Sequence, residues 1–183
     1  MIAVFLANGF EEMEALATVD ILRRAQCDVK TVAVGTADNR VTGSHSITVE
    51  ADLRENALVL EELEAVVLPG GMPGTLNLDA SETVQAALAH CIQSGKVTAA
   101  ICAAPSVLGK KGYLNGKHAT VYPGFETELE GATLEPEVLV VKDGTIITGK
   151  GPAAAIDFGL KLVETLCGKE QAEAVGMAMQ CRQ

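Results

Sequence analysis

Four short apolar runs constrain this chain more than any other feature: "IAVFLAN" (2–8), "DVKTVAVG" (28–35), "AVVLPGG" (65–71) and "VTAAIC" (97–102). Each is too short for a buried helix and apolar at nearly every position, the pattern of a strand covered on both faces, as in a parallel sheet. Helical stretches lie between them. "EEMEALATVDILRRA" (11–25) and "SETVQAALAHCIQSG" (81–95) have helical composition, the second with Ser81 as N-cap and Gly95 as a C-terminal stop. "AIDFGLKLVETLCG", entered through Pro152 and ending at Gly168, adds a helix, and a last one follows from about 169 to 179. This alternation predicts a doubly wound α/β fold, a mostly parallel sheet with helices on both faces.

Two segments interrupt the alternation. "VLVVKDGTIIT" (138–148) reads as an added β-hairpin, with Asp143-Gly144 in a type I′ turn that needs φ > 0 at both positions. "VTGSHSITVEA" (41–51) reads as a weaker hairpin bending near Gly43 and Ser44. With 183 residues, 48% of them hydrophobic, the chain can bury one sizeable core, so residues 1–183 are expected to form a single domain.

Charge and composition exclude several function classes. Lys and Arg number 14 against 24 Asp and Glu, and the net charge of -10, with no basic stripe, argues against a nucleic-acid partner. No apolar run approaches the roughly 18 residues of a membrane span, and Met1 leads straight into a strand-like run, which predicts a cytoplasmic protein. The five cysteines are odd in number and widely spaced, with no C-x-x-C, and the three histidines are scattered. Reduced thiols, no metal site and no cofactor are expected.

In open α/β sheets the ligand crevice lies outside the carboxyl ends of the strands. Cys102, in "AAICAAPSVLG" (99–109), stands at such an end, just before a helix whose free N–H groups and partial positive charge would lower a thiol pKa from about 8.5. The setting is that of a strand–nucleophile–helix elbow without the G-x-S-x-G frame. Cys91, Cys27 and Cys167 are read instead as small core hydrophobes. "LPGGMPG" (68–74) ends another strand at the same edge, so Gly70 and Gly71 either present N–H groups to a developing oxyanion or merely make a tight turn. In "GFEEMEA" (9–15), Glu11 and Glu12 complement the helix dipole, whereas Glu14 projects beside Thr18 between apolar stripes, where a raised pKa would suit a general acid/base. Those stripes, Met13–Ala17–Ile21 and Ala15–Leu16–Val19–Leu22, are more than one sheet face uses. Either the helix sinks into a crowded core or one stripe meets another subunit. "TGKGPAAA" (148–155) lacks the spacing of a nucleotide site, and Lys150 faces solvent or greets an anion at the cleft.

In order and spacing, "GFEEMEA", "VVLPGG", "AAICAAPSVL" and "TGKGPAAAIDFGL" resemble the ThiJ/PfpI superfamily over essentially the whole chain, most of all its branch containing the Parkinsonism-associated deglycase. The resemblance implies a flavodoxin-like fold and a homodimer. It makes Cys102 the reactive cysteine and Glu14 a carboxyl held protonated against it. Gly70 and Gly71 line the pocket, Ala103 supplies the next N–H, Arg24 lies at the dimer-side rim, and His45 matches a basic position there. Ala103 replaces the histidine of the peptidase-like branch, which disfavours proteolysis. Tyr122 stands in the pocket where relatives often carry another histidine. The implied activity is a glutathione- and metal-independent glyoxalase or deglycase acting on methylglyoxal, glyoxal or early glycation adducts. A sensor of oxidative stress or redox-regulated chaperone working through oxidation of Cys102 is the alternative, and a non-catalytic dimeric scaffold a third.

Overall fold

The alternating apolar runs become the centre of a seven-stranded sheet in the computed structural model, which describes residues 1–181. In chain order the first half contains β1 (Ile2–Ala7), α1 (Glu12–Arg24), β2 (Val29–Val34), β3 (Arg40–Thr42), β4 (Thr48–Glu50), β5 (Leu53–Arg54), β6 (Ala65–Leu68), α2 (Gly74–Ala80) and α3 (Glu82–Gln93). The second contains β7 (Val97–Ile101), α4 (Pro105–Lys110), β8 (His118–Ala119), β9 (Thr133–Leu134), β10 (Val140–Asp143), β11 (Ile146–Gly149), α5 (Ala155–Cys167) and α6 (Lys169–Ala178). The sheet order is β10-β11-β7-β6-β1-β2-β5, parallel throughout except for β10, which pairs antiparallel with β11. From β1 the chain moves one way to β2 and β5, then crosses back to β6 and continues to β7 and β11. The strand order therefore reverses between β1 and β6, and the crevice such a reversal opens lies at their carboxyl ends.

β1 shows why its residues are apolar on both sides. Ile2, Val4 and Leu6 pack with Ala15, Val19, Ile21 and Leu22 of α1 and Phe158, Leu162 and Val163 of α5. Ala3, Phe5 and Ala7 face Val84, Leu88 and Cys91 of α3 and Val107 and Leu108 of α4. All six are buried, so the strand belongs equally to two cores. The stripes of α1 divide along the helix. Ile21 is fully buried in the core, Leu16 and Ala17 are half-buried, and Met13 is 59% exposed. A small outward strip is thus left at the start of the helix.

Ser81 caps α3 as the sequence predicts, accepting from the Val84 N–H at 3.2 Å. Both hairpins form: β3 with β4, and β10 with β11. The first bends at Gly43 and Ser44 as expected, whereas the turn of the second differs from expectation. In the second, only Gly144 has positive φ (+64°), so the turn is not type I′, and in the first the left-handed residue is Ser46 (+67°). The helix after Cys102 is only six residues long and starts at Pro105.

Candidate active site

Three strand-to-helix connections meet at the reversal point: Gly9–Glu11 after β1, Pro69–Pro73 after β6 and Cys102–Ala104 after β7. Cys102 has φ +65°, a left-handed conformation that a side-chain-bearing residue adopts at a cost of roughly 1–3 kcal/mol. Its peptide is held on both sides. The Cys102 N–H donates to Gly149 O at 2.8 Å, and Cys102 O accepts from the Tyr122 N–H at 2.9 Å. These bonds keep the elbow in the strained form and aim the side chain into the crevice, where it is 8% exposed.

Glu14, 1% exposed, reaches the same spot from the first turn of α1. The helix is capped by Glu11, whose carboxylate accepts from the Glu14 N–H at 2.7 Å, and this fixes the helix entry. Glu14 Oε2 accepts from the Gly70 N–H at 2.8 Å, while Oε1 is buried with no hydrogen-bond partner. A methyl group on Gly70 would lie 2.6 Å from Cys102 Cβ and 2.8 Å from Glu14 Oε2, so only glycine lets carboxyl and thiol face one another there. Gly71, at φ +89°, passes so close to the first connection that a Cβ would collide with the Glu11 nitrogen.

Burial pushes Glu14 from 4.5 up to about 7; hydrogen bonding with Cys102 and Gly70 opposes the rise, and the charge of Glu11 adds to it. Burial also pushes the Cys102 thiol up to about 12, helped by the Glu14 carboxylate and opposed by the N–H groups of Ala103 and Gly71. This overturns the expectation that the following helix lowers the thiol, since a six-residue helix starting three positions away does not outweigh burial. The rise has a second message. The share contributed by Glu14 exists only while Glu14 is ionised. With Glu14 protonated, two N–H donors remain to stabilise a thiolate. Between the two ionisations the pair therefore holds one proton, and it titrates as a unit.

The other predicted residues divide. The Gly71 and Ala103 N–H groups both point at the sulfur, as an oxyanion site requires, but the Gly70 N–H is committed to Glu14 and is not available for that role. Tyr122 is tied to Cys102 through its backbone, and its ring, 45% exposed, borders an open cleft of about 320 Å³ with Pro123, Leu139, Lys150 and Pro152. Neither this cleft nor two larger concavities, one against α5 and α6 and one beside Asn8 and Ser81, is lined by Cys102 or Glu14. Arg24 is not brought to the thiol within this protomer: it lies ten residues beyond Glu14, about 15 Å along the helix, bonded to Asp20 at 2.6 Å.

His45 stands on the β3–β4 turn and grips Glu12 rather than Cys102. Its backbone N–H donates to Glu12 Oε1 at 2.7 Å, and its Nδ1 lies 2.9 Å from Oε2. Burial alone would raise Glu12, but these bonds outweigh it and hold the carboxyl below 4.5; the same pair raises His45. Glu11, Glu12 and His45 bring ligand atoms within 4.8 Å of one another, yet both oxygens of Glu12 are already used by the turn. Sequence reasoning assigned Glu12 only to the helix dipole and missed this clamp. Its signal was a second buried acid beside a hairpin carrying a histidine. His118 and His90 are engaged elsewhere, with Glu135 at 2.7 Å and Lys96 at 3.2 Å.

Cys91 is the core hydrophobe expected. Cys27 and Cys167 are not: Cys167 is exposed, Cys27 half-buried, and their sulfurs lie 3.2 Å apart.

A glutamate from the helix after the first connection, glycines from the second connection and a left-handed cysteine from the third are the elements that the "EEMEA", "PGG" and "AICAAP" segments supply, and residues 1–165 match the DJ-1/PfpI family profile. The chain belongs to the DJ-1/PfpI family. It is 38% identical to Protein dj-1beta of Drosophila melanogaster over 177 residues, covering 96% of this chain and 94% of the relative. The crystal structure of that DJ-1beta superposes with a TM-score of 0.94 at 35% identity, covering 100% of this chain and 98% of the other. Oxidised Toxoplasma gondii DJ-1 gives 0.92 at 35%, with 100% and 98% covered. The glutathione-independent glyoxalase DJR-1.2 of Caenorhabditis elegans is 29% identical over 90% of this chain and 87% of its own length. Against DJ-1 homolog A of Arabidopsis thaliana, 36% identical over 97% of this chain, the chain spans 45% of the relative. The fold is therefore the flavodoxin-like one of this family. No helix among the described residues is long and apolar enough to cross a membrane.

Proposed function

We propose that the protein is a cysteine-dependent, glutathione- and metal-independent glyoxalase or deglycase acting on methylglyoxal, glyoxal or early glycation adducts. One observation carries the reading: a buried carboxyl and a strained thiol face one another across Gly70, beside the backbone N–H groups of Gly71 and Ala103. The relationship to a glutathione-independent glyoxalase supports it.

On methylglyoxal, Cys102 sulfur forms a bond to the aldehyde carbon while its proton passes to Glu14. The carbonyl oxygen becomes an alkoxide held by the Gly71 and Ala103 N–H groups, the arrangement that stabilises charge as it develops. Glu14 returns the proton to give a hemithioacetal, then takes the proton from that carbon and delivers it to the neighbouring carbonyl carbon, while the hemithioacetal hydroxyl proton passes to the neighbouring oxygen and leaves a thioester carbonyl behind. The product is a thioester of lactate. Water cleaves it, releasing lactate and restoring the thiol, so methylglyoxal plus water becomes lactate with no other reactant. Ala103 in place of a histidine disfavours proteolysis.

The test is methylglyoxal consumption without glutathione, with lactate measured, for wild type beside Cys102→Ala. Lactate from wild type alone supports the reading. Equal lactate from both, or none from either, overturns it.

A second reading, a sensor or redox-regulated chaperone, draws on the orphaned Glu14 Oε1. A protonated Glu14 donates a hydrogen bond from such an oxygen to a sulfinate, which forms when two equivalents of hydrogen peroxide oxidise Cys102 and leave as water. Gain of two oxygens on Cys102 without lactate formation favours it. In either reading we place the protein in the cytoplasm as a homodimer. The exposed Met13 of α1 and Ile156 of α5, on helices packed together, support the dimer. Light scattering on the eluting peak tests it.

A further inference from the structure

At the far end of α1 from Glu14, two cysteines separated by 140 positions in sequence lie with their sulfurs 3.2 Å apart. Their positions are set by the backbone. α1 ends in a left-handed Gln26 (φ +60°), with the Gln26 N–H donating to Arg23 O at 2.9 Å and the Cys27 N–H to Leu22 O at 3.1 Å. This closure fixes Cys27 directly after the turn. Cys167 is the last residue of α5, and the Gly168 N–H donates to Glu164 O at 3.1 Å. The two helices approach closely because α5 has Gly159 at the crossing, where a Cβ would lie 2.7 Å from Ile21 Cδ1. Helix packing therefore holds the two sulfurs together, and bonding them needs closure of only about 1 Å toward a disulfide length of about 2.05 Å.

We infer that Cys27 and Cys167 form a redox-active dithiol, oxidised by a hydroperoxide to an intramolecular disulfide that ties the ends of α1 and α5. Cys167, exposed, meets the oxidant. Its sulfur attacks the peroxide, the O–O bond breaks, and Cys167 becomes a sulfenic acid with release of one water. Cys27 sulfur then attacks that sulfur, the S–O bond breaks, and a second water leaves with the proton from Cys27. In total two thiols and one hydrogen peroxide give one disulfide and two waters. Burial first, then the neighbouring sulfur, push Cys27 up to about 12, which suits it to the second step rather than the first. This site lies apart from Cys102 and does not depend on the glyoxalase reading.

The experiment treats the full-length protein with a small molar excess of hydrogen peroxide, blocks remaining thiols with N-ethylmaleimide, and digests it with trypsin without reduction. The expected result is a linked pair of peptides, AQCDVK (25–30) and LVETLCGK (162–169), two hydrogens lighter than their sum, from protein that runs as a monomer on a non-reducing denaturing gel. In Cys27→Ser the link disappears, and Cys167 instead gains oxygen because its resolving partner is gone. Both peptides recovered singly with N-ethylmaleimide, both carrying oxygen without a link, or a link found only in covalent dimers would each overturn the inference.

Discussion

The two ends of α1 each carry a thiol that burial pushes up to about 12, Cys102 facing the N-terminal end and Cys27 following the C-terminal one. What differs is the partner. Cys102 faces a buried carboxyl and two N–H groups, whereas Cys27 faces another sulfur. In the two proposals the same burial therefore serves addition chemistry at one end and electron exchange at the other. Burial makes a thiol poor by itself, and the neighbouring groups decide what it becomes good for.

The sharpest way to break this comparison is to remove one sulfur at each end. Cys102→Ala should lower lactate formation by at least about 10³-fold, while Cys27→Ser should leave it unchanged, both read by steady-state lactate assay. Glu14→Gln should lower turnover by about 10²–10⁴-fold with the fold intact by circular dichroism, because a side chain that cannot hold the proton cannot move it. Gly70→Ala should lose activity as well, and destabilise by about 1–3 kcal/mol in urea titration, since its methyl group would overlap Cys102 Cβ.

Glu14 also sharpens the comparison through stability. Its folded-state pKa is raised from 4.5 to about 7, so the native state keeps a proton that the unfolded chain gives up. Stability therefore falls as pH rises from about 4.5 to about 7, by about 3 kcal/mol. Urea titrations should show Glu14→Gln gaining on wild type across that window and holding its gain above it. The smallest effect belongs to the clamp behind the site. His45 is raised by Glu12, so its contribution is present below its ordinary 6.5 and lost as pH rises through the folded value. His45→Ala should then differ from wild type slightly near pH 6 and less at alkaline pH.

Much of the architecture was legible because a parallel sheet demands strands apolar on both faces, and 2–8, 28–35, 65–71 and 97–102 advertise that demand directly. The elbow was legible too, since a cysteine between a strand and Pro105 has few other settings. What escaped were features set by distance in space. No local pattern says that β3–β4 folds onto α1 so that His45 grips Glu12, or that Gly159 brings α5 close enough to set Cys167 beside Cys27. The thiol's direction of shift was misjudged for a related reason: the dipole of a following helix is visible in sequence, but the burial that outweighs it depends on the whole crevice.

The most direct test of Glu14 as proton carrier is the pH dependence of kcat/KM for methylglyoxal, measured by lactate for wild type and Glu14→Gln between about pH 5 and 9. The expected wild-type profile climbs about tenfold per pH unit and levels near pH 7, where Glu14 ionises, and the variant shows a low profile without that step. A wild-type rate that is level through pH 7, or the same step persisting in Glu14→Gln, would contradict it.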